Sequence, residues 1–97
     1  MQEKIDQLYN DFTEAKRTVS STYTKANKKA MKQLNAIIDK CSDYIEELKI
    51  AKANCNPNST STILQIKKWT SRLYSIRSNA RNIVNDVELN GVIETNL

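Results

Sequence analysis

Thr18-Val19-Ser20-Ser21-Thr22-Tyr23-Thr24 is the stretch on which the fold turns. Hydroxyl side chains here compete with the backbone for its own hydrogen bonds, and β-branched ones stiffen it, so the segment is a weak place in an otherwise helical text. On both sides the apolar residues recur in threes and fours. Met1, Ile5, Leu8, Phe12, Ala15 and Val19 precede it, and Ala26, Ala30, Leu34, Ile37, Cys41, Tyr44, Leu48 and Ala51 follow Tyr23. That spacing predicts a helical stripe from residue 2 to residue 54, with neither Gly nor Pro to interrupt it. Two steps of four in succession, Ala15 to Val19 to Tyr23 and Ala26 to Ala30 to Leu34, read as stutters that locally unwind a supercoil. If the helix runs through the segment, it is a rod of ~75–80 Å. If it breaks there, a short first helix folds back. The stripe keeps its phase across residues 18–24, which favours the rod.

The unmistakable interruption is Asn54-Cys55-Asn56-Pro57-Asn58-Ser59-Thr60-Ser61. Pro57 has no amide hydrogen and biases Asn56 away from helix, while Asn and Ser favour turns, so the chain reverses over residues 55–61. Thr62 with Gln65 has the form of a capping box opening a helix over 62–90. Within it Ile66, Trp69, Leu73, Ile76, Ala80, Ile83 and Val87 alternate threes and fours for three heptads. Asn90-Gly91 suits a carboxy-terminal cap, followed by a tail over 91–97. The expectation is an all-α single domain over residues 1–97: an antiparallel helical hairpin with a long first helix, or a three-helix bundle if that helix breaks near 18–24.

The arm lengths differ. A second helix of ~30 residues covers only about residues 25–54 of the first. On the rod reading, Ile5, Leu8, Tyr9, Phe12 and Val19 therefore face another chain, since an exposed apolar stripe marks an interaction surface. A three-helix bundle removes that need.

Composition excludes more than it selects. Among 97 residues there are one Gly, one Pro and no His. One glycine leaves no glycine-rich phosphate cradle and no hairpin-rich all-β fold. Without histidine there is no Ser-His-Asp or Cys-His catalysis, and the commonest zinc and iron ligand sets are lost. Asp39, Asp43, Glu46 and Glu47 stand at helical neighbour spacings, but Lys40 and Lys49 flank them and nothing in the sequence marks them as buried, so a solvated face outweighs an acid–base pair or a cation site. Neither catalysis nor any cofactor or small-molecule substrate is expected. Trp69, like the rest of its stripe, reads as helix packing. Cys41 and Cys55 lie 14 positions apart, ~21 Å along one helix and beyond disulfide reach, so reduced thiols are expected. Asn58-Ser59-Thr60 fits a glycosylation acceptor, a triplet common by chance. No apolar run approaches the ~20 residues of a membrane span, and the amino terminus has no secretory pattern, so a soluble protein of cytoplasmic synthesis is expected.

Charge is unevenly spread. Lys16, Arg17, Lys25, Lys28, Lys29 and Lys32 follow one another with no acid among them, as do Lys67, Lys68, Arg72, Arg77 and Arg81. In an antiparallel hairpin Arg77 and Arg81 come level with Lys29 and Lys32. A face of Lys25, Lys28, Lys29, Lys32, Arg77 and Arg81 would attract nucleic-acid phosphates or anionic lipid heads through sequence-independent electrostatics. Against it, the net charge is only +4, and long cations also solubilise a helix surface.

Residues 51–59, Ala-Lys-Ala-Asn-Cys-Asn-Pro-Asn-Ser, with Leu73-Tyr74, Asp86-Val87-Glu88 and the ending Val92-Ile93-Glu94-Thr95-Asn96-Leu97, resemble the carboxy-terminal half of type III secretion needle subunits. The resemblance covers residues 51–97. It implies a helical hairpin around an Asn/Pro/Ser turn whose apolar tail lies within a helical polymer, with Pro57 in the turn, Val92, Ile93 and Leu97 as assembly contacts, and export by a dedicated system. The longer first helix, the single proline and the cysteines depart from that pattern. In helix number and size the chain is also similar to the three-helix amino-terminal domains of SNARE proteins, as are many bundles. Taken together, the residues point to a non-catalytic protein that packs helices against a protein partner or its own copies, with a basic binder of nucleic acid or anionic membrane as the alternative.

Overall fold

In the computed structural model, which describes the backbone of residues 1–20 and 24–90 and the side chains of 1–19 and 28–87, there are three helices. They are α1 (Gln2–Ser20), α2 (Thr24–Asn54) and α3 (Thr60–Asn90). The all-α expectation holds, in its three-helix form. α1 does not extend α2 as a rod: it lies antiparallel along it, with Lys4 Nζ 3.8 Å from Glu47 and Glu14 beside Gln33. It runs parallel to α3, where Arg72 meets Asp6 at 2.9 Å and the Trp69 indole Nε1 donates to Gln2 Oε1 at 3.2 Å. The particle measures 59 × 22 × 15 Å, shorter than the expected rod. Near the end of α1 the Thr18 hydroxyl donates back to the Glu14 carbonyl at 3.0 Å, the side-chain competition its composition implied. Residues 21–23 of the weak segment, and Gly91 with the tail to Leu97, lie outside the described residues.

The reason α1 folds back is its stripe. Ile5, Leu8, Phe12 and Ala15 are buried at 6% exposure or less, in one cluster with Leu34, Ile37, Cys41, Ile45 and Leu48 of α2 and Ile66, Leu73, Ile76, Ala80 and Val84 of α3. Fully burying each large aliphatic or aromatic side chain is worth about 1.5–3 kcal/mol, and the chain obtains this without a second molecule. Ile5, Leu8 and Phe12 are therefore interior residues here, where the length mismatch pointed to a partner interface. Val19 is half-buried against the same cluster, and of the five only Tyr9 is left on the surface. The phase read from the sequence holds in every helix. Its omissions are Ile45 and Val84, and it placed Ala51, which is exposed, in the core.

The hairpin turn is tighter than expected. Ser59 N–H donates to the Asn56 carbonyl at 2.9 Å, with Pro57 and Asn58 as the central pair, and Asn58 N–H donates to Asn56 Oδ1 at 3.0 Å. Proline presets the φ its turn position needs, and the Asn56 side chain supplies a second local acceptor. Ser59 then accepts from Ile63 N–H at 3.0 Å, so α3 opens two residues before the Thr62 box read from the sequence. The loop is complete by Ser59, and Thr62 is already inside the helix.

The arms are equal, 31 residues and ~46 Å each, while α1 has 19 residues and ~28 Å. α1 therefore covers one face of the hairpin only part of the way to the turn. Beyond its first residues the tip stands as two helices, carrying the exposed side chains of Ile50 and Leu64.

Candidate functional site

The hairpin has two long faces, and α1 occupies one. On the other, Ser42, Ile45, Lys49 and Lys52 of α2 recur in threes and fours, and so do Lys67, Thr70, Tyr74, Arg77 and Arg81 of α3, which places each set on one side of its helix. Between them lies a groove of about 510 Å³ lined by Leu48, Lys49, Lys52, Ile66, Lys67, Thr70, Ser71 and Tyr74. Its floor is Leu48 and Ile66, both nearly fully buried, and its walls are the half-exposed Tyr74 ring and the methylene stems of three lysines. No carboxylate lines it.

Further along the same face Arg77 bridges the arms. Its Nη1 donates to Ser42 Oγ at 3.1 Å, and its guanidinium lies 4.8 Å from the centre of the Tyr74 ring. A cation over an aromatic face is worth about 0.5–1 kcal/mol at an exposed site and more when desolvated. Among the described residues Arg77 has no carboxylate partner, whereas Arg72, one turn away on the α1 side, is paired with Asp6. The groove thus combines an apolar base with positive charge that no carboxylate among the described residues pairs with.

Of the six cations expected to share a basic face, only Arg77 belongs here by contact. A turn centred on Pro57 and Asn58 sets residue 77 level with about residue 38, and the long Arg77 side chain reaches Ser42 from there. Lys32 is about six positions from that level along α2, so Arg77 and Lys32 are not level. Even the turn read over residues 55–61 sets Arg77 about seven residues from Lys32, so that levelling did not follow from it. Lys29 instead lines a cleft with Glu14, Arg17, Thr18 and Gln33 on the α1 side. Lys28, Lys32 and Arg81 are exposed, and the Lys25 side chain lies outside the described residues. Lys49, Lys52 and Lys67 went unnoticed as a group because two are on one arm and one on the other. The signal was the missing acid in α3: none stands between Thr60 and Asn85.

Other candidates are weaker. Asp39, Asp43, Glu46 and Glu47 are all exposed, and among the described residues no cluster of three His, Cys, Asp or Glu is arranged to hold a metal. The cleft of about 240 Å³ between α1 and α2 mixes Asp11 and Glu14 with Lys40 and has no charge of one sign. Both cysteines are free thiols; Cys41 is fully buried, and burial raises its pKa from the ordinary 9.0 to about 11 against the opposing pull of Arg77. Asn58 is exposed in the turn. Among the described residues no helix is long and apolar enough to cross a membrane. Val92, Ile93 and Leu97, the tail contacts implied by the needle resemblance, are outside the described residues.

No protein-family model matches the chain, and neither a curated protein nor a solved structure matches it.

Proposed function

We propose that this protein is a non-catalytic helical interaction module that receives another protein in the open groove between α2 and α3. The observation that carries the reading is the asymmetry of the hairpin: one face is filled by α1, and the other keeps an apolar base between walls of Lys49, Lys52, Lys67 and Tyr74. An apolar floor bounded by polar and aromatic side chains is the usual anatomy of a recognition surface, and helices are commonly received in such grooves. The site has shifted from the α1 stripe to the face α1 leaves uncovered. Ile5, Leu8 and Phe12 are used inside the chain and are not offered to a second copy.

The reading is tested by placing a photo-crosslinking amino acid at Ser71, which lines the groove, and separately at Gln7 on the outer surface of α1. Irradiation in cells is expected to give a discrete protein adduct from position 71 and none from position 7. No adduct at 71, or the same adducts from both, overturns it.

A further inference from the structure

Resting on the interaction reading above, we infer that the occupant of the groove is an acidic amphipathic helix from another protein, seated as a fourth helix against α2 and α3.

The first argument is charge. Lys49, Lys52 and Lys67 surround the groove, Arg77 continues its line, and no acid lines it. α3 contributes nothing negative from Thr60 through Asn85. On the opposite face charges are answered in both directions: Asp6 of α1 holds Arg72 of α3, and Lys4 of α1 pairs with Glu47 of α2. A helix entering the open groove without carboxylates would desolvate the rims of four cations and return nothing, whereas one carrying them adds charge-assisted hydrogen bonds.

The second argument is the chain's own precedent. α1 is an amphipathic helix of 19 residues, four of them acidic, that sits on the hairpin through Ile5, Leu8, Phe12 and Ala15 and is oriented by Asp6. The open face offers corresponding terms: Leu48 and Ile66 below, Tyr74 and lysine stems as walls, cations at the edge. A concave slot with a recessed floor suits a row of side chains from a helix. It suits a lipid surface poorly, because Leu48 and Ile66 lie too deep to enter a bilayer. Duplex nucleic acid has nothing to place on an apolar base.

The test is a binding titration by fluorescence anisotropy with three labelled peptides of the length of α1. Each carries the same leucine stripe, flanked by Glu, by Gln or by Lys. The Glu peptide is expected to bind the intact protein about tenfold more tightly than the Gln peptide at low salt, the order of effect three or four partly exposed ion pairs give, and the difference is expected to shrink at high salt. In the double variant Lys49→Glu/Lys67→Glu, whose side chains are exposed and whose helicity is checked by circular dichroism, the Glu peptide is expected to lose that advantage and the Lys peptide to gain it. Lys49→Gln/Lys67→Gln is expected to bring the Glu and Gln peptides level. Equal binding of the Glu and Gln peptides to the unaltered protein overturns the acidic occupant, while an adduct at position 71 would leave the interaction reading standing. Binding of phosphatidylserine vesicles or random duplex DNA, lost in the charge-reversed variant, without peptide binding also overturns the acidic occupant. A homodimer in light scattering that the same variant dissolves overturns it in favour of a second copy of this chain. Absence of binding by every peptide overturns it as well.

Discussion

Truncating Ile5 to alanine separates an α1 that folds back from one that waits for a partner. The side chain is fully buried in the single core cluster. Ile5→Ala removes three carbons, worth about 2.4 kcal/mol at ~0.8 kcal/mol each, and the incompletely closed cavity adds about 1 kcal/mol, for a total near 3 kcal/mol. For a domain of this size each kcal/mol lowers Tm by about 4–8 °C, so the melting midpoint by circular dichroism is expected to fall by about 12–24 °C. Tyr9→Ala on the same helix is the control. Its side chain is half-exposed, with a tilted contact to Phe12 at 6.5 Å between ring centres, and the loss is expected to stay below about 1 kcal/mol. Both proteins are melted over a wide concentration range, because a core completed by a second chain makes Tm rise with concentration and a core completed within one chain does not. A fall of less than about 1 kcal/mol for Ile5→Ala, or a midpoint that climbs with concentration, would refute the intramolecular seating of α1.

Three further outcomes follow from particular contacts. The Asp6–Arg72 pair is partly exposed on both sides, so a double-mutant cycle with Asp6→Asn and Arg72→Gln is expected to give a coupling of about 0.2–1 kcal/mol in dilute buffer that fades in concentrated salt; a salt-independent value would show that the pair is not screened. Asn56→Ala deletes the acceptor for Asn58 N–H and is expected to cost about 0.5–1 kcal/mol in urea unfolding, with no change in the slope of the transition. Cys41 retains its proton in the folded state up to about pH 11, whereas the unfolded chain releases it near 9, so stability is expected to be unaffected by this group below pH 9 and to decline between pH 9 and 11 by on the order of 2 kcal/mol. Cys41→Ala is expected to flatten that decline, and at pH 8 a thiol reagent is expected to modify Cys55 in the native protein and Cys41 only on unfolding.

The legible part of this molecule was everything governed by local spacing. The stripe from Met1 to Val19, that of α2 and the heptad run of α3 each gave the correct phase, because a helix of fixed pitch turns a pattern of threes and fours into one face. Even the missed Ile45 and Val84 stand one position from residues already placed on the seam. The turn was legible in place and not in detail. Pro57 announced a reversal, but a two-residue centre held by Asn56 was not separable from a longer loop; with either turn Arg77 stands level with about residue 38 or 39 of α2, well away from Lys32, and its side chain reaches Ser42. The groove was legible only in part: a turn over residues 55–61 already sets Lys49 level with Lys67, but which face of the hairpin α1 would cover was not in the local pattern.

By itself, then, the sequence determined that the chain is helical, where it reverses, and which side of each helix is apolar, since those follow from backbone geometry and the affinities of single side chains. Only the tertiary structure decided what meets those sides. Residues 18–24 accommodate a rod or a return almost equally in local terms, and the choice falls to long-range burial: Ile5, Leu8 and Phe12 remove more apolar surface from water by closing on the hairpin than by staying exposed along a rod. Once α1 has taken one face of the hairpin, the other is left as the open, positively charged one.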